Sequence, residues 1–306
     1  MTSEMTYTFL ERDACEMCHA PASEHRMLGM RLNRSQGRAP RRQHGVAVGV
    51  MKCNRCSLIF ANPLPIPASM TDHYALSPEQ YWAPEYLQVD EAYFGKEIAT
   101  AKRLLSFQPG MAALDVGAGM GKAMKALERA GFAAYGLEPS PTFRQAAVTR
   151  MQIDPSRLSS DTMEAAEFGP QFDFITFGAV LEHLYHPAEA IERALKWLKP
   201  GGVIQIEVPS SSHLLAKFLN TYFKLAGTNY VTHISPMHAP FHLYEFGLAS
   251  FQEHGRRAGY DIAEHEFHQN DVLFVPIPKP LHGPLSWWMA RKKAGMQLTV
   301  WLRSAT

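Results

Sequence analysis

The chain has 306 residues, 30 of them lysine or arginine and 29 aspartate or glutamate, for a formal net charge of +1. That length accommodates one large domain and a small one. A balance this near neutral excludes a broadly cationic nucleic-acid binder, so nucleic acid is not expected as a partner. The N-terminus lacks the basic-then-apolar pattern of a secretory signal and no run reaches the length of a membrane span, so a cytoplasmic protein is expected.

Taken from the N-terminus, the four cysteines fall into two matched pairs, Cys15-Glu-Met-Cys18 and Cys53-Asn-Arg-Cys56. Each C-x-x-C turn directs two thiolates inward, and two such turns make a tetrahedral zinc site. A redox pair or free thiols would leave the matched pairing without a reason. Four thiolates leave no open position on the metal, so the zinc is expected to be structural. Residues 1–62 read as a small zinc-binding module. Between the pairs, the basic stretch 34–42 (RSQGRAPRR) reads as a solvated insertion, with contact to an acidic substrate or carrier as the alternative. Residues 57–61 read as a strand and Asn62-Pro-Leu-Pro-Ile-Pro67 as a stiff linker. Residues 63–108 read as a helical lid or linker. Among its aromatics, Tyr74 and Tyr81 are candidates for the substrate pocket, against the more general use of such rings in core packing.

The next stretch organises the rest. An apolar run, 111–116, carries Asp115 near its end and leads into Gly117, Gly119 and Gly121. A helical pattern follows to about Ala130 and stops at Gly131; a second strand, 132–137, ends at Glu138. Strand, glycine turn, helix, strand and acid make half of a nucleotide-binding α/β unit. A dinucleotide site wants G-x-G-x-x-G, but the slot for its third glycine holds Lys122. Asp115 would repel a pyrophosphate and suits a ligand with an ammonium or sulfonium end. The stretch resembles motif I of the class I S-adenosylmethionine-dependent methyltransferases, D/E-x-G-x-G-x-G with an acid after the second strand.

The downstream segment FDFITFGAVLEHLYHPAEAIERALKWLKPGGVIQIEVPS strengthens that resemblance, which runs nearly unbroken from 111 to about 208. A helix follows Pro141 to about Arg150, with a short third strand near 158–160 and a fourth at 172–177. Another helix, 188–198, stops at Lys199-Pro-Gly-Gly202, and a fifth strand covers 203–208. His238-Ala-Pro-Phe-His242-Leu-Tyr-Glu-Phe246 is similar to the family's later H-x-x-x-F pattern, which opens the last large helix. A strand to Phe267 and a final antiparallel strand, 296–303, would close the sheet. The expected fold is α/β: a Rossmann-like seven-stranded methyltransferase sheet with helices on both faces, plus the four-cysteine module. The methyltransferase domain would span 109–306, with substrate-side insertions near 209–240 and 269–295. The second insertion holds Trp287-Trp-Met-Ala-Arg-Lys-Lys293, a candidate contact for a membrane surface near 285–293 or a helix packed on the core.

Site roles follow from the resemblance. Gly117, Gly119 and Gly121 would cradle the methionine end of S-adenosylmethionine, Asp115 would orient its ammonium and Glu138 would hold the ribose. Asp161, Thr162 and Met163 would meet the adenine, and Gly178 and Ala179 would line the sulfonium end. An in-line attack on the methyl makes catalysis largely a matter of positioning. Where the acceptor must lose a proton, His183 and His242 are the candidate bases, with an unperturbed pKa of ~6.5. Sugar C-methyltransferases with a similar zinc module carry Glu-His where this chain has Phe241-His242. No core cysteine exists for cytosine C5 chemistry, and no Asn/Asp-Pro-Pro-Tyr loop for amide or adenine N-methylation. Metal-dependent ubiquinone-type O-methyltransferases place a glutamate where this chain has Ala179. The reading is O- or C-methylation of a small-molecule acceptor (a sugar, nucleotide-sugar, polysaccharide or natural-product intermediate), His-assisted and metal-independent. The alternatives are an RNA or protein methyltransferase that docks through the zinc module, or a cofactor-binding scaffold without catalysis.

Overall fold

The computed structural model describes residues 6–34, 45–68, 92–268 and 278–305. Tyr74, Tyr81 and most of the basic stretch 34–42 lie outside the described residues. The N-terminal part is built from β1 (Tyr7–Leu10), β2 (His25–Leu32), β3 (Ala47–Cys53), β4 (Ile59–Asn62) and β5 (Leu64–Pro67). The two knuckles are tight turns at 15–18 and 53–56, the second placed between β3 and β4. Strands β2, β3 and β4 form an antiparallel meander, and β1 pairs with β5. Here the structure departs from the sequence reading. Leu64–Pro67 is a strand rather than a linker, because its two prolines sit in a two-stranded ribbon that does not need their missing N–H groups. Strands β2 and β3, which flank the basic stretch, were not anticipated either.

Helix α1 (Gly95–Leu105) leads into the main sheet. Its strands are β6 (Ala112–Val116), β7 (Ala133–Leu137), β8 (Leu158–Ser159), β9 (Phe172–Gly178) and β10 (Leu198–Pro209). The connecting helices are α2 (Lys122–Arg129), α3 (Pro141–Met151) and α4 (Pro187–Trp197). Beyond β10 come α5 (Leu214–Leu225), the two-residue β11 (Tyr244–Glu245) and α6 (Leu248–Ala258), then β12 (Tyr260–His268), α7 (His282–Arg291) and β13 (Gln297–Ser304). The seven-stranded order is β12-β13-β10-β9-β6-β7-β8. Strands β8, β7, β6, β9 and β10 run parallel, while β13 lies antiparallel between β10 and β12. Parallel strands need covering on both faces, which is why β6 and β9 are almost continuously apolar. The ring of Phe174 stacks on Trp301 of β13 at 5.7 Å.

Helix α4 stops at Trp197, and Lys199-Pro-Gly-Gly202, expected as a turn ahead of the strand, lies within β10, whose pairing with β9 shifts register between Leu198 and Val203 to accommodate it. His242 does not open a helix: it sits in a loop before β11, and α6 starts only at Leu248. On α7, Trp287 and Trp288 are exposed while Met289 is buried. The short strand β11 pairs with β4, so the second half of the chain supplies the fourth strand of the N-terminal sheet. The carboxyl ends of β6, β7, β9 and β10 all open on one edge, where ligands of parallel α/β sheets bind.

Candidate active site

Strand β6 delivers Asp115, buried to 5% exposure, beside the glycine turn. Gly117 has φ +68°, and a Cβ there would come within 2.6 Å of Val180 Cγ2. Gly121, at φ +78°, precedes the first residue of α2, and a Cβ would strike Ile153 at 2.6 Å. Glu138, just past β7, is 7% exposed and holds the turn together. Its Oε2 accepts from the Gly119 amide and its Oε1 from the Ser140 amide, both at 2.8 Å. Burial, with Glu138 nearby, pushes the Asp115 carboxyl up to about 7. Burial also raises Glu138, against the two amides that favour its anion.

The resulting pocket is lined by Asp115, Gly117, Gly119, Lys122, Thr176 and Gly178, with Tyr93 and Phe94 at the start of α1. The Lys122 ammonium sits 4.5 Å from the centre of the Tyr93 ring. A Cβ on Gly178 would meet only open space, and Ala179 takes a left-handed conformation, φ 56°. The structure thus brings Asp115, Gly117, Gly119 and Gly178 to one cavity, with Glu138 bonded into its wall. Asp161, Thr162 and Met163 follow β8 on the far side of β7, outside that lining. Asp161 accepts from the Ser159 hydroxyl at 2.8 Å, and Met163 is buried. Tyr93 and Phe94 belong to the aromatics of the segment expected to act as a lid, although Tyr74 and Tyr81 are favoured within it; Lys122 reads only as the residue in the third-glycine slot, and Thr176 is not singled out. Thr176 did carry a signal, as a polar residue inside an apolar strand.

One strand over, a 3₁₀ turn at Leu181–His183 presents Glu182 and His183. Glu182 is 1% exposed, its Oε1 is 3.8 Å from His242 Nε2, and its Oε2 has no hydrogen-bond partner among the described residues. The His183 and His242 rings meet edge to face with centres 5.0 Å apart, and His183 Nδ1 lies 3.3 Å from the Phe241 carbonyl. The loop is fixed by its backbone: the Leu243 amide donates to the Glu182 carbonyl and the His242 amide to Ser235 Oγ. Burial, helped by Glu207, raises Glu182 to about 8; burial, with His183 and His238, lowers His242 to about 3. A neutral imidazole facing a protonated carboxyl is the arrangement these shifts favour near neutrality. Glu182, His183 and His242 each offer a ligand atom, all within 4.8 Å of one another.

The four cysteines converge as the spacing implies. All are buried, and their sulfurs lie within 4.8 Å of one another. Sγ of Cys15 is 3.5 Å from Cys56, and Cys18 is 3.5 Å from Cys53, too far for a disulfide. A tetrahedron of sulfurs at ~2.3 Å from zinc has edges of about 3.8 Å, so the donor set fits that ion. Without a cation, the Cys56 sulfur and then burial push the Cys15 thiol upward, and burial with the neighbouring sulfurs does the same to Cys18.

A family model described as a methyltransferase domain matches residues 90–265. The chain is 25% identical over 167 residues to a ubiquinone biosynthesis O-methyltransferase of Rhodopseudomonas palustris, covering 49% of this chain and 63% of that protein. It is 33% identical over 118 residues to the protein of the same name from a Chelativorans species, covering 37% of this chain and 44% of the relative. In both cases the chain spans less than two thirds of the relative's length. Among solved structures, it superposes on Haemonchus contortus phosphoethanolamine N-methyltransferase 2, determined with S-adenosylhomocysteine and phosphomonomethylethanolamine. The TM-score is 0.50 at 16% identity, covering 86% of this chain and 70% of that one, a likeness of fold alone.

Proposed function

The chain belongs to the methyltransferase-domain family, and on that premise we propose that it transfers the methyl group of S-adenosylmethionine to a small-molecule acceptor. The observation that carries this reading is the cavity in which Asp115, the Gly117–Gly119 turn and Gly178 converge, with Glu138 bonded into its wall. Asp115 would pair with the ammonium of the cofactor. Glu138 keeps lone pairs beyond the two that its amide partners use, and these would accept from the ribose. Asp161, Thr162 and Met163, which follow β8, would meet the adenine, and Gly121 shapes the helix start beneath the cradle. Bound S-adenosylmethionine supplies a methyl on a positively charged sulfur, so that the protein's task is to aim the acceptor and receive its proton.

His183 and His242 are the groups for that proton, and Glu182 positions His242. Burial keeps the His242 imidazole neutral at neutral pH, which leaves a ring nitrogen for the acceptor's proton but also lowers its basicity. O-methylation is preferred over C-methylation, since the curated relatives are named O-methyltransferases. The four cysteines hold a structural zinc. No helix among the described residues is long and apolar enough to cross a membrane. A second reading adds a divalent cation on Glu182, His183 and His242, favoured by their 4.8 Å clustering.

The test is incubation with methyl-labelled S-adenosylmethionine and fractionated host extract, followed by mass spectrometry of labelled products. Label in a small-molecule fraction, lost in His183→Ala or His242→Ala, supports the reading; label only in protein or RNA, or none, overturns it. Activity that survives EDTA keeps the chemistry metal-independent, whereas loss restored by magnesium or manganese favours the second reading.

A further inference from the structure

Lys122 occupies the slot where a dinucleotide site carries its third glycine. The fold makes it the first residue of α2, half-buried, in the wall of the cofactor cavity. Its ammonium lies 4.5 Å from the centre of the Tyr93 ring, and Tyr93 lines the same cavity. Among the described residues of that lining, Lys122 is the one cation and Asp115 the one acid. Thr176 of β9 registers with Asp115 of β6, and residues opposite one another in neighbouring strands leave the same face of the sheet. Both line the cavity. The Thr176 hydroxyl donates to Oε1 of Gln205, its register partner on β10, and both side chains are fully buried. With its proton directed away to Gln205, the hydroxyl keeps lone pairs for a donor in the cavity.

A wall of one carboxyl, one ammonium and one oriented hydroxyl matches a zwitterion. The methionine end of S-adenosylmethionine carries an ammonium and a carboxylate on the same carbon. Asp115 and Thr176 answer the ammonium and leave the carboxylate, which is costly to take out of water without a cation. We propose that Lys122 binds the carboxylate of the cofactor's methionine end, and that Thr176 is the second acceptor, after Asp115, for its ammonium. The partial positive charge at the start of α2 acts in the same sense as Lys122. The proposal rests on the cofactor reading above; it assigns the groups that recognise the amino-acid end of that ligand rather than its nucleoside.

The experiment is calorimetry on full-length, zinc-replete protein with two ligands, S-adenosylhomocysteine and methylthioadenosine. The second keeps the nucleoside and the sulfur and lacks the amino-acid end. The parent should bind S-adenosylhomocysteine more tightly. Lys122→Met should weaken S-adenosylhomocysteine about tenfold and leave methylthioadenosine unchanged. Lys122→Arg, which keeps the charge, should retain most of the affinity. Thr176→Val, of the same shape, should show the same selective loss to a smaller degree. Lys125→Met, on the same helix but paired with Glu128 outside the cavity, should bind both ligands as the parent does. Unchanged S-adenosylhomocysteine affinity in Lys122→Met, an equal loss for both ligands, or an equal loss in Lys125→Met would overturn the role of Lys122, and an unselective effect of Thr176→Val would overturn that of Thr176. A folded parent that binds neither ligand would instead bring down the cofactor reading itself.

Discussion

Asp115 is one of the buried groups through which pH acts on this molecule. Its carboxyl is held near 7 by burial and by Glu138, against ~3.9 in an unfolded chain. Between those values the folded state binds the extra proton, so this group subtracts stability as pH rises from about 4 to about 7. Asp115→Asn should therefore raise the melting temperature at pH 8 and leave it little changed at pH 4, as differential scanning calorimetry would read. Pairing with an ammonium requires the anion, so affinity for S-adenosylhomocysteine should fall roughly tenfold from pH 8 to pH 6 and lose that dependence in Asp115→Asn. Gly117→Ala puts a side chain at φ +68° and 2.6 Å from Val180. The left-handed conformation alone costs about 1–2 kcal/mol, and a turn that shifts to relieve the clash should bind the cofactor about tenfold more weakly. The positions of Asp115 and Glu138 were legible because they are set by local spacing around one glycine turn. The double amide bond of Glu138 was not, since it depends on how the turn closes over the end of β7; Tyr93 and Phe94 were legible only as aromatics of a lid segment, because which of its rings enters the pocket depends on how that segment folds back.

At the scale of elements, strands β6, β7, β9 and β10 were legible because each is an apolar run bounded by glycine, proline or acid. Strand β2 was not: it carries exposed positions, Gly29 and a register shift between Met27 and Gly29, which together erase the alternation that marks a strand. Strand β5 hid behind prolines that ordinarily argue against a strand. Strand β11 has two residues and no periodicity to read. The knuckles, by contrast, are declared by four letters. Metal analysis of reduced protein should give one zinc per chain. Cys53→Ser should abolish that zinc and lower the melting temperature by roughly 10 °C, as expected for loss of a structural metal in a chain of this size. Full zinc content in that variant would contradict the four-cysteine site.

At the scale of the whole molecule, the N-terminal module is not an appendage. β11 joins its sheet, Ser250 donates to the Cys56 carbonyl, Arg257 to the Met17 carbonyl and Arg12 to the Tyr185 carbonyl. A single buried apolar cluster runs from Cys15 and Phe60 to Phe246, Phe251 and Leu298. Phe246, fully buried and stacked on Phe251 at 5.5 Å, sits at this junction, and Phe246→Ala should cost about 3–5 kcal/mol. Its thermal unfolding should remain one transition, shifted down, because the described residues of the N-terminal sheet share this buried cluster with the rest of the fold. That continuity was invisible in the sequence, where residues 57–61 and 244–245 are far apart. Everything proposed for the active site depends on S-adenosylmethionine sitting on the glycine turn. That is tested most directly by titrating S-adenosylhomocysteine into the zinc-replete protein and into Glu138→Ala. Saturable binding of one ligand per chain, lost in the variant while its zinc content is kept, is the predicted result. No binding by the folded wild-type protein, or equal binding by both, would contradict it.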